Sequence, residues 1–135
     1  MKEITLKAVI ENIPLATAFV DEALEEVGCS MKAQMQIDVA MDELFCNVAR
    51  YAYGSEEGDA TVQFDFDMST RTASITLIDS GKPFDPLSVT EPDTTSSAAD
   101  RPIGGLGIFL VRKTMDEMSY QYLDGRNRLT IRKRV

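Results

Sequence analysis

The stretch DELFCNVARYAYG at residues 42–54 has the spacing of a helix that is buried on one side. At about 100° per residue, its apolar stripe continues the pattern before it and consists of Ile37, Met41, Leu44, Val48 and Ala52. Glu43 and Asn47 stand one turn apart on the edge of that stripe. These two polar groups form either a weak contact across one helical turn or one wall of a cleft.

The segments before this helix predict a strand and a shorter helix. Residues 3–11 alternate apolar and polar side chains, which is typical of a strand with one buried face. Pro14 opens a helix that Gly28 ends, because proline suits the first turn and glycine the residue after the last. Ser30 caps the long helix, which runs to about Tyr53.

The segments after it predict two hairpins, a long loop and a third helix. The predicted elements are strands at 61–67 and 72–79, a helix at 107–118, and strands at 119–123 and 128–134 around a turn at 124–127. Residues 80–105 are rich in Pro, Ser, Thr, Asp and Gly and have almost no periodicity. A loop of this length inside a compact domain is usually functional or mobile.

The order β–α–α–β–β–loop–α–β–β indicates an α+β protein. Because helices and antiparallel strands are segregated along the chain, we expect a two-layer α/β sandwich with three main helices on one face of a mostly antiparallel sheet. The chain has 135 residues, of which 44% are hydrophobic. That is the size and composition of one domain with one core, so residues 1–135 are predicted to form a single domain.

The charge of the chain excludes some classes of function. It carries 22 acidic and 14 basic residues, a net charge of −8, which argues against direct nucleic-acid binding. The basic segment RNRLTIRKRV at 126–135 is interpreted as an exposed last strand with protective charged edges. No apolar run reaches the roughly 18 residues that span a bilayer, and the N-terminus lacks a signal-peptide core, so we expect a cytoplasmic protein without membrane contact.

Histidine is absent from the chain. This excludes histidine-based triads and general bases, most zinc sites and self-phosphorylation on histidine. Cys29 and Cys46 have no metal or redox spacing and are predicted to be buried or half-buried thiols. Acid–base chemistry therefore falls to carboxylates, lysine or tyrosine.

Two further motifs have residue types suited to ligand binding. Asp79 ends an apolar strand and Gly81 follows it; this is either a plain turn or a carboxylate facing a cleft, where glycine lets a flat ring approach the backbone. Gly104, Gly105 and Gly107 directly precede a helix. They either interrupt the loop or present backbone N–H groups and the positive end of the helix dipole to phosphates. The Walker A and Rossmann patterns do not fit them.

Taken together and in this order, the three motifs resemble the ATP-binding domain of gyrase-type topoisomerases, heat-shock chaperones, sensor histidine kinases and mismatch-repair ATPases, the GHKL superfamily with the Bergerat-type fold. They match its N box (Glu43, Asn47), G1 box (Asp79, Gly81) and G2 box (Gly105, Gly107). The small size, the N-box ending ARYAYG and the G1 form DSGKPFDP are most similar to bacterial anti-sigma factor serine/threonine kinases.

The resemblance implies ATP and Mg²⁺ as ligands. Asn47 would bind Mg²⁺, Glu43 would orient or deprotonate the attacking hydroxyl, and Asp79 would accept a hydrogen bond from the adenine amine. The remaining implied contacts are Gly81 beside the adenine, backbone amides of Gly105, Leu106 and Gly107 on the phosphates, and Thr130 near the adenine. Residues 86–103 would form the ATP lid, with Arg101 reaching a terminal phosphate.

Two positions depart from the family pattern. Pro83 stands where a second G1 glycine is common, and proline lacks an N–H donor. Tyr51 stands where many relatives have histidine, and tyrosine is no base near neutral pH, so Glu43 would act as base alone.

Three functions are compatible with these residues. The first, implied by the resemblance, is an anti-sigma kinase that binds a sigma factor, phosphorylates a STAS-type anti-sigma-antagonist protein and forms a homodimer through its first strand and helix. The second is a non-catalytic nucleotide-binding module that sequesters a protein partner. The third is a scaffold in which the glycines only shape a loop; it predicts that Gly107→Ala changes stability but no ligand affinity.

Overall fold

Five strands build the sheet. In the computed structural model, which describes residues 1–88 and 105–135, they are β1 (Lys2–Lys7), β2 (Asp59–Asp67), β3 (Thr72–Asp79), β4 (Glu117–Leu123) and β5 (Arg126–Arg134). Their order is β1-β2-β3-β5-β4, and each neighbouring pair is antiparallel. Residues alternate between a buried side and an open side, as the predicted hairpins require.

Three helices pack on one side of this sheet: α1 (Ile13–Glu26), α2 (Met31–Asn47) and α3 (Gly105–Thr114). Proline lies in the first turn of α1, and Gly28 follows the helix with a left-handed φ of 70°, as predicted. The hydroxyl of Ser30 caps α2 by accepting a hydrogen bond from the Ala33 N–H at 3.2 Å. The local signals in the sequence therefore place both helices correctly.

The core lies between the helices and the sheet. Its largest fully buried side chains come from both layers and include Leu24, Ile37, Met41, Phe45, Ile75 and Ile131. Burying a side chain of this size stabilises a fold by about 1.5–3 kcal/mol relative to leaving it exposed. The predicted α+β class, with three helices on an antiparallel sheet, is confirmed.

Several element boundaries differ from the prediction, most of all the ends of the first strand and the third helix. The first strand ends at Lys7 rather than at residue 11, because its partner β2 begins opposite Lys7 at Asp59. Residues Ile10–Asn12 form a 3₁₀ turn that leads into α1. The third helix ends at Thr114, so Met118, predicted to lie on that helix, belongs to β4.

The second hairpin also differs in its turn. Asp124 and Gly125 both have positive φ, 54° and 75°, which is the geometry of a two-residue turn between strands. Asn127 is therefore a strand residue rather than part of a four-residue turn. Strand β5 pairs with β3 on one side and β4 on the other, so its interpretation as a charged edge strand is wrong.

The end of α2 changes its hydrogen-bond pattern. Residues Val48–Ala52 form a π-helical turn, and Gly54 closes the segment with φ 62°. Such turns interrupt α-helices frequently at functional sites. The carbonyl of Ala52 accepts a hydrogen bond from the Lys82 N–H at 3.0 Å, so this turn ties α2 to the segment that follows β3.

Part of the predicted ATP lid, from residue 89 onward, and Arg101 lie outside the described residues. Pro86–Ser88 forms a short 3₁₀ turn at the start of that segment. Among the helices that the structure describes, none is long and apolar enough to cross a membrane.

Candidate active site

The three predicted motifs meet at one end of the molecule. A Cβ built on Gly107 would overlap the carboxyl group of Glu43, so the Glu43 side chain of α2 lies directly against the start of α3. A Cβ built on Gly81 would lie 2.6 Å from the carbonyl carbon of Ala52, so the backbone after β3 packs directly on the end of α2. The contact at Gly81 is with backbone atoms and therefore requires glycine, whereas the contact at Gly107 is with the end of a flexible side chain.

Asp79 is a buried carboxylate at the end of β3, with 7% of its surface exposed. Its Oδ1 accepts two hydrogen bonds at 2.9 Å, one from the Gly81 N–H and one from the Asn127 side-chain amide. None of the described residues donates a hydrogen bond to its Oδ2. Because the protein's own donors converge on one oxygen, the other is left as an acceptor for a ligand.

Asn127 is the central polar residue of this region, and sequence reasoning missed it. It is 6% exposed and lies opposite Asp79 in the β3–β5 register. Besides Asp79, its amide nitrogen donates to the Lys82 carbonyl at 3.0 Å, and its oxygen accepts from the Phe84 N–H at 3.1 Å and from the Tyr120 hydroxyl. One side chain therefore joins β3, β4, β5 and the segment that follows Asp79.

Tyr53 holds the same segment from the other side. Its hydroxyl donates to the Asp59 carbonyl at 2.6 Å and accepts from the Ser80 N–H at 2.8 Å. Burial raises the pKa of this phenol, although the bond from Ser80 acts in the opposite direction. The phenol is therefore neutral at physiological pH and acts as a structural link between the start of β2 and the end of β3.

A pocket opens beside these residues. Its walls are mostly apolar and aromatic, with four polar side chains; the lining residues include Leu44, Val48, Tyr51, Leu77, Phe84, Tyr120, Leu129, Asn47, Asp79, Lys82 and Asn127. A mostly apolar pocket with a few convergent polar groups is typical of a small-molecule site.

The part of the predicted site that would bind phosphates consists of the first turn of α3 and the last turns of α2. Gly105, Leu106 and Gly107 form the first turn of α3, where backbone N–H groups lack partners within the helix. Glu43 is half-buried against this turn and does not line the pocket itself, whereas Asn47, one turn along α2, does. Glu43 therefore contacts the start of α3, and Asn47, one turn further along α2, contacts the pocket.

Thr130 is not brought to the site. Its hydroxyl pairs with that of Thr76 at 2.9 Å on the side of the sheet opposite the helices, because it alternates with the buried Leu129 and Ile131. The β5 residue that faces the pocket beside Asp79 is Asn127, three positions earlier. The prediction therefore identified the correct strand, β5, but chose a residue on the face of the sheet that points away from the pocket.

A family model described as "Histidine kinase-like ATPase domain" matches residues 6–133, almost the whole chain. The chain belongs to this family. The superfamily predicted from the three motifs is thereby confirmed, and ATP is the nucleotide that an ATPase domain of this kind implies.

Two curated relatives of this ATPase-domain protein are themselves kinases. Serine/threonine-protein kinase BtrW of Bordetella bronchiseptica is 28% identical over 102 residues, which cover 76% of this chain and 71% of that protein. Serine-protein kinase RsbW of Listeria monocytogenes is 26% identical over 125 residues, which cover 89% of this chain and 78% of that protein. Both similarities include most of each protein's length.

A solved structure has the same fold. It is the histidine kinase domain of the blue-light activated histidine kinase EL346 from Erythrobacter litoralis, with a TM-score of 0.53 and 13% identity. The match covers 90% of this chain and 60% of that one, less than two thirds of its length. At this identity the likeness concerns the fold alone, and it agrees with the antiparallel sheet and three helices.

The residues of the pocket fit a purine nucleotide. Apolar walls accept a flat ring, and the second carboxylate oxygen of Asp79 suits an exocyclic amine. The described residues contain no cluster of three or more acidic, cysteine or histidine side chains able to hold a metal ion. Asn47 would thus be a single protein ligand, which fits Mg²⁺ because that ion keeps waters and phosphate oxygens around it.

Proposed function

We propose that this protein is an ATP- and Mg²⁺-dependent serine/threonine protein kinase of the anti-sigma type. In this role the chain, as a single ATP-binding domain over residues 1–135, binds a sigma factor and phosphorylates an anti-sigma-antagonist protein. The observation that carries the proposal is the contact of Glu43 with the glycine turn of α3, next to the pocket that holds Asp79. The similarity to two named protein kinases supports it.

Asp79 would select adenine. Its Oδ1 is already bonded to the protein, and its Oδ2 accepts a hydrogen bond from the exocyclic amine of the ring. Guanine presents a carbonyl oxygen at the corresponding position, which a carboxylate repels. The apolar and aromatic walls, which include Leu77, Leu129, Phe84 and Tyr120, would bury the ring.

The start of α3 would hold the phosphates. Backbone N–H groups of Gly105, Leu106 and Gly107 and the positive end of the helix dipole suit an anion. Asn47, on the same side of the pocket, would hold the Mg²⁺ that accompanies the phosphates. When bound, this ion neutralises part of the phosphate charge.

Glu43 would act on the incoming hydroxyl. The serine or threonine oxygen of the substrate attacks the γ-phosphorus of ATP, the bond from that phosphorus to the β–γ bridging oxygen breaks, and ADP leaves. The hydroxyl proton passes to the Glu43 carboxylate. Since the chain has no histidine, and Tyr51 lines the pocket as a phenol, Glu43 is the base candidate on α2.

A non-catalytic nucleotide-binding module is the second candidate. Pro83 favours it, because proline offers no backbone N–H in the segment between Gly81 and Phe84 and so reduces the contacts available to a nucleotide. In that case the protein acts by sequestering a partner. Homodimerisation and a cytoplasmic location belong to both versions of the proposal.

One experiment separates these versions. The native chain is incubated with ATP labelled on its γ-phosphate, Mg²⁺ and a candidate antagonist protein, and ATP binding is measured in parallel by calorimetry. We expect both binding and transfer. Binding without transfer leaves the sequestering module, and no binding removes the nucleotide site altogether.

Matched variants make the result specific. Asp79→Asn should weaken ATP binding at least about tenfold, since an amide replaces the carboxylate acceptor. Glu43→Gln should keep ATP binding but reduce transfer by about 100-fold or more. The controls are Asp65→Asn on β2 and Glu22→Gln on α1, which change the same chemical groups at exposed positions.

A further inference from the structure

The side of the sheet that faces away from the helices carries a row of arginines on β5. Asn127, Leu129 and Ile131 point toward the helices and are buried, so the alternate positions point to the open face. Those positions are Arg126, Arg128, Thr130, Arg132 and Arg134. We call this row the arginine stripe; Arg126 and Arg134 are exposed, and Arg128 and Arg132 are half-buried.

Most of the positive charge on the stripe has no neutralising partner within the described part of the chain. Arg132 pairs with Glu117 of β4 at 3.1 Å. No ion pair joins Arg126, Arg128 or Arg134 to any carboxylate among residues 1–88 and 105–135. The neighbouring positions of β3 are mostly hydroxyl residues, since Ser74 lies opposite Arg132 and Thr76 opposite Thr130.

Edge protection does not explain this charge. Charged side chains on an exposed edge strand prevent pairing with another sheet. Strand β5, however, is hydrogen-bonded on both sides, and the edges of the sheet are β1 and β4. Five of the chain's 14 basic residues therefore lie on an interior strand, four of them on the stripe, in a protein with a net charge of −8.

We propose that the arginine stripe is a docking surface for an acidic segment of a partner protein. Alternate residues of a strand lie about 6.8 Å apart, so the guanidinium groups form a straight row. Carboxylates at alternate positions of a strand, or one turn apart along a helix, have a similar spacing. Arginine binds carboxylates through paired hydrogen bonds, which suits it to such a row.

The rest of the open face favours a narrow protein segment over a nucleic acid. Glu3 of β1, and Asp65 and Asp67 of β2, lie on this same face, and Glu117 flanks the stripe on the other side. A polyanion wider than one strand would meet these carboxylates and be repelled. A single acidic strand or helix aligned with β5 avoids most of them.

The stripe is separate from the nucleotide pocket. Asp79 and Asn127 face the helices, whereas the stripe faces the opposite side of the same sheet. A partner held there leaves the pocket open. This surface is therefore a second site, and its test does not depend on the proposed kinase activity.

The experiment uses the full chain and a fluorescein-labelled 12-residue peptide in which Glu alternates with Thr, with binding followed by fluorescence anisotropy at low and high salt. The test variant is Arg126→Gln/Arg128→Gln/Arg134→Gln, which leaves the Arg132–Glu117 pair intact. The matched control is Lys2→Gln/Lys32→Gln/Arg112→Gln. Both variants lose three positive charges, but the control removes none from the open face.

We expect salt-sensitive peptide binding that falls about tenfold or more in the stripe variant and stays within about twofold in the control. Arg→Lys at the same three positions should restore part of the affinity. Circular dichroism and thermal melting establish that each variant is folded. No binding by the native chain, or equal losses in the two Gln variants, overturns the proposal.

Two further arms test the alternative occupants. A labelled 12-nucleotide single strand that binds more tightly than the peptide would reassign the stripe to nucleic acid. Sedimentation measurements without peptide test self-association. If the native protein self-associates in a salt-sensitive way and the stripe variant does not, the stripe binds the acidic part of the open face on a second copy of the protein. Either result overturns the proposal that the stripe binds an acidic segment of a partner protein.

Discussion

Asp79 on β3 and two carboxylates on α2 are held in place by different means. Asp79 receives two hydrogen bonds on one oxygen, from Gly81 and Asn127. Glu43 packs against the backbone of Gly107, and no described residue donates a hydrogen bond to it. Asp38 has a buried Oδ1 that lacks any hydrogen-bond partner in the described part of the chain, as does Asp21 Oδ1 on the adjacent α1.

This difference indicates which parts of the molecule are already organised before a ligand binds. The end of β3 has its polar groups satisfied, so its geometry costs little to maintain. Glu43 and Asp38 receive no such hydrogen bonds from the described residues, so protonation or a ligand changes their energy directly. The following predictions test this contrast, from the largest expected change in the free energy of unfolding to the smallest.

Replacing Asn127 should have the largest effect. Asn127→Ala removes a donor from Asp79 and leaves the Phe84 N–H and the Tyr120 hydroxyl without their acceptor, which should cost about 3 kcal/mol in urea denaturation. ATP binding should fall with it. Thr130→Val, on the same strand but the other face, is the control and should cost less than about 1 kcal/mol. If both variants lost the same free energy of unfolding, the hydrogen bonds of Asn127 around Asp79 would not contribute to stability.

Gly81→Ala should rank second. The added methyl group meets the backbone of Ala52, which cannot move without disturbing the π-helical turn, so we expect about 2 kcal/mol of destabilisation. Nucleotide affinity should drop because the segment after β3 shifts. Ser55→Ala, in the exposed loop after α2, is the control for denaturation and calorimetry. A Gly81→Ala protein as stable as the native one would contradict the close packing.

Asp38 should make stability depend on pH. Burial, together with the carboxylates of Asp21 and Asp42, raises its pKa from 3.8 to about 7. The folded state thus holds a proton that the unfolded state has already released, so stability falls as pH rises from about 4 to about 7. Asp38→Asn removes this titration, and the variant should gain about 1 kcal/mol over the native protein across that interval, after allowing for solvent screening.

Melting curves recorded from pH 4.5 to pH 8 measure this difference. Glu22→Gln on the exposed side of α1 is the matched control and should follow the native protein at every pH. If native and Asp38→Asn curves stay parallel over the whole range, Asp38 does not bind the proton.

Gly107→Ala should change stability least, by less than about 1 kcal/mol. Alanine is the better helix residue, and the atoms it meets belong to the movable side chain of Glu43. Displacing Glu43 should nevertheless lower phosphate transfer by about 100-fold. Leu110→Ala, at an exposed position of the same helix, serves as the control. A change in stability with unaltered ATP binding and transfer would favour the scaffold hypothesis.

The sequence predicted the fold class and the three motifs because their signals are local. Alternation, the proline and glycine around α1 and the serine cap of α2 each act within a few residues. The end of β1 was missed because it depends on where β2 begins, which is a matter of pairing between distant segments. The π-helical turn has no such local signal.

The errors within the site have two origins, one local and one not. The dipeptide at 124–125 is a strong local signal for a two-residue hairpin turn, which puts Asn127 in the strand. Alternation with Leu129 and Ile131 would then have placed Thr130 on the opposite face. That Asn127 faces Asp79 follows only from the β3–β5 register, which no local pattern contains.

The distribution of tyrosines around the pocket also makes the protein its own optical reporter. The chain has no tryptophan and four tyrosines. Tyr51 and Tyr120 line the pocket, Tyr53 holds Ser80 beside it, and Tyr122 lies opposite Asn127 in the β4–β5 register. Nearly all near-ultraviolet emission therefore arises around the proposed adenine site, so an unlabelled sample can be titrated with a weakly absorbing adenosine analogue by tyrosine fluorescence alone.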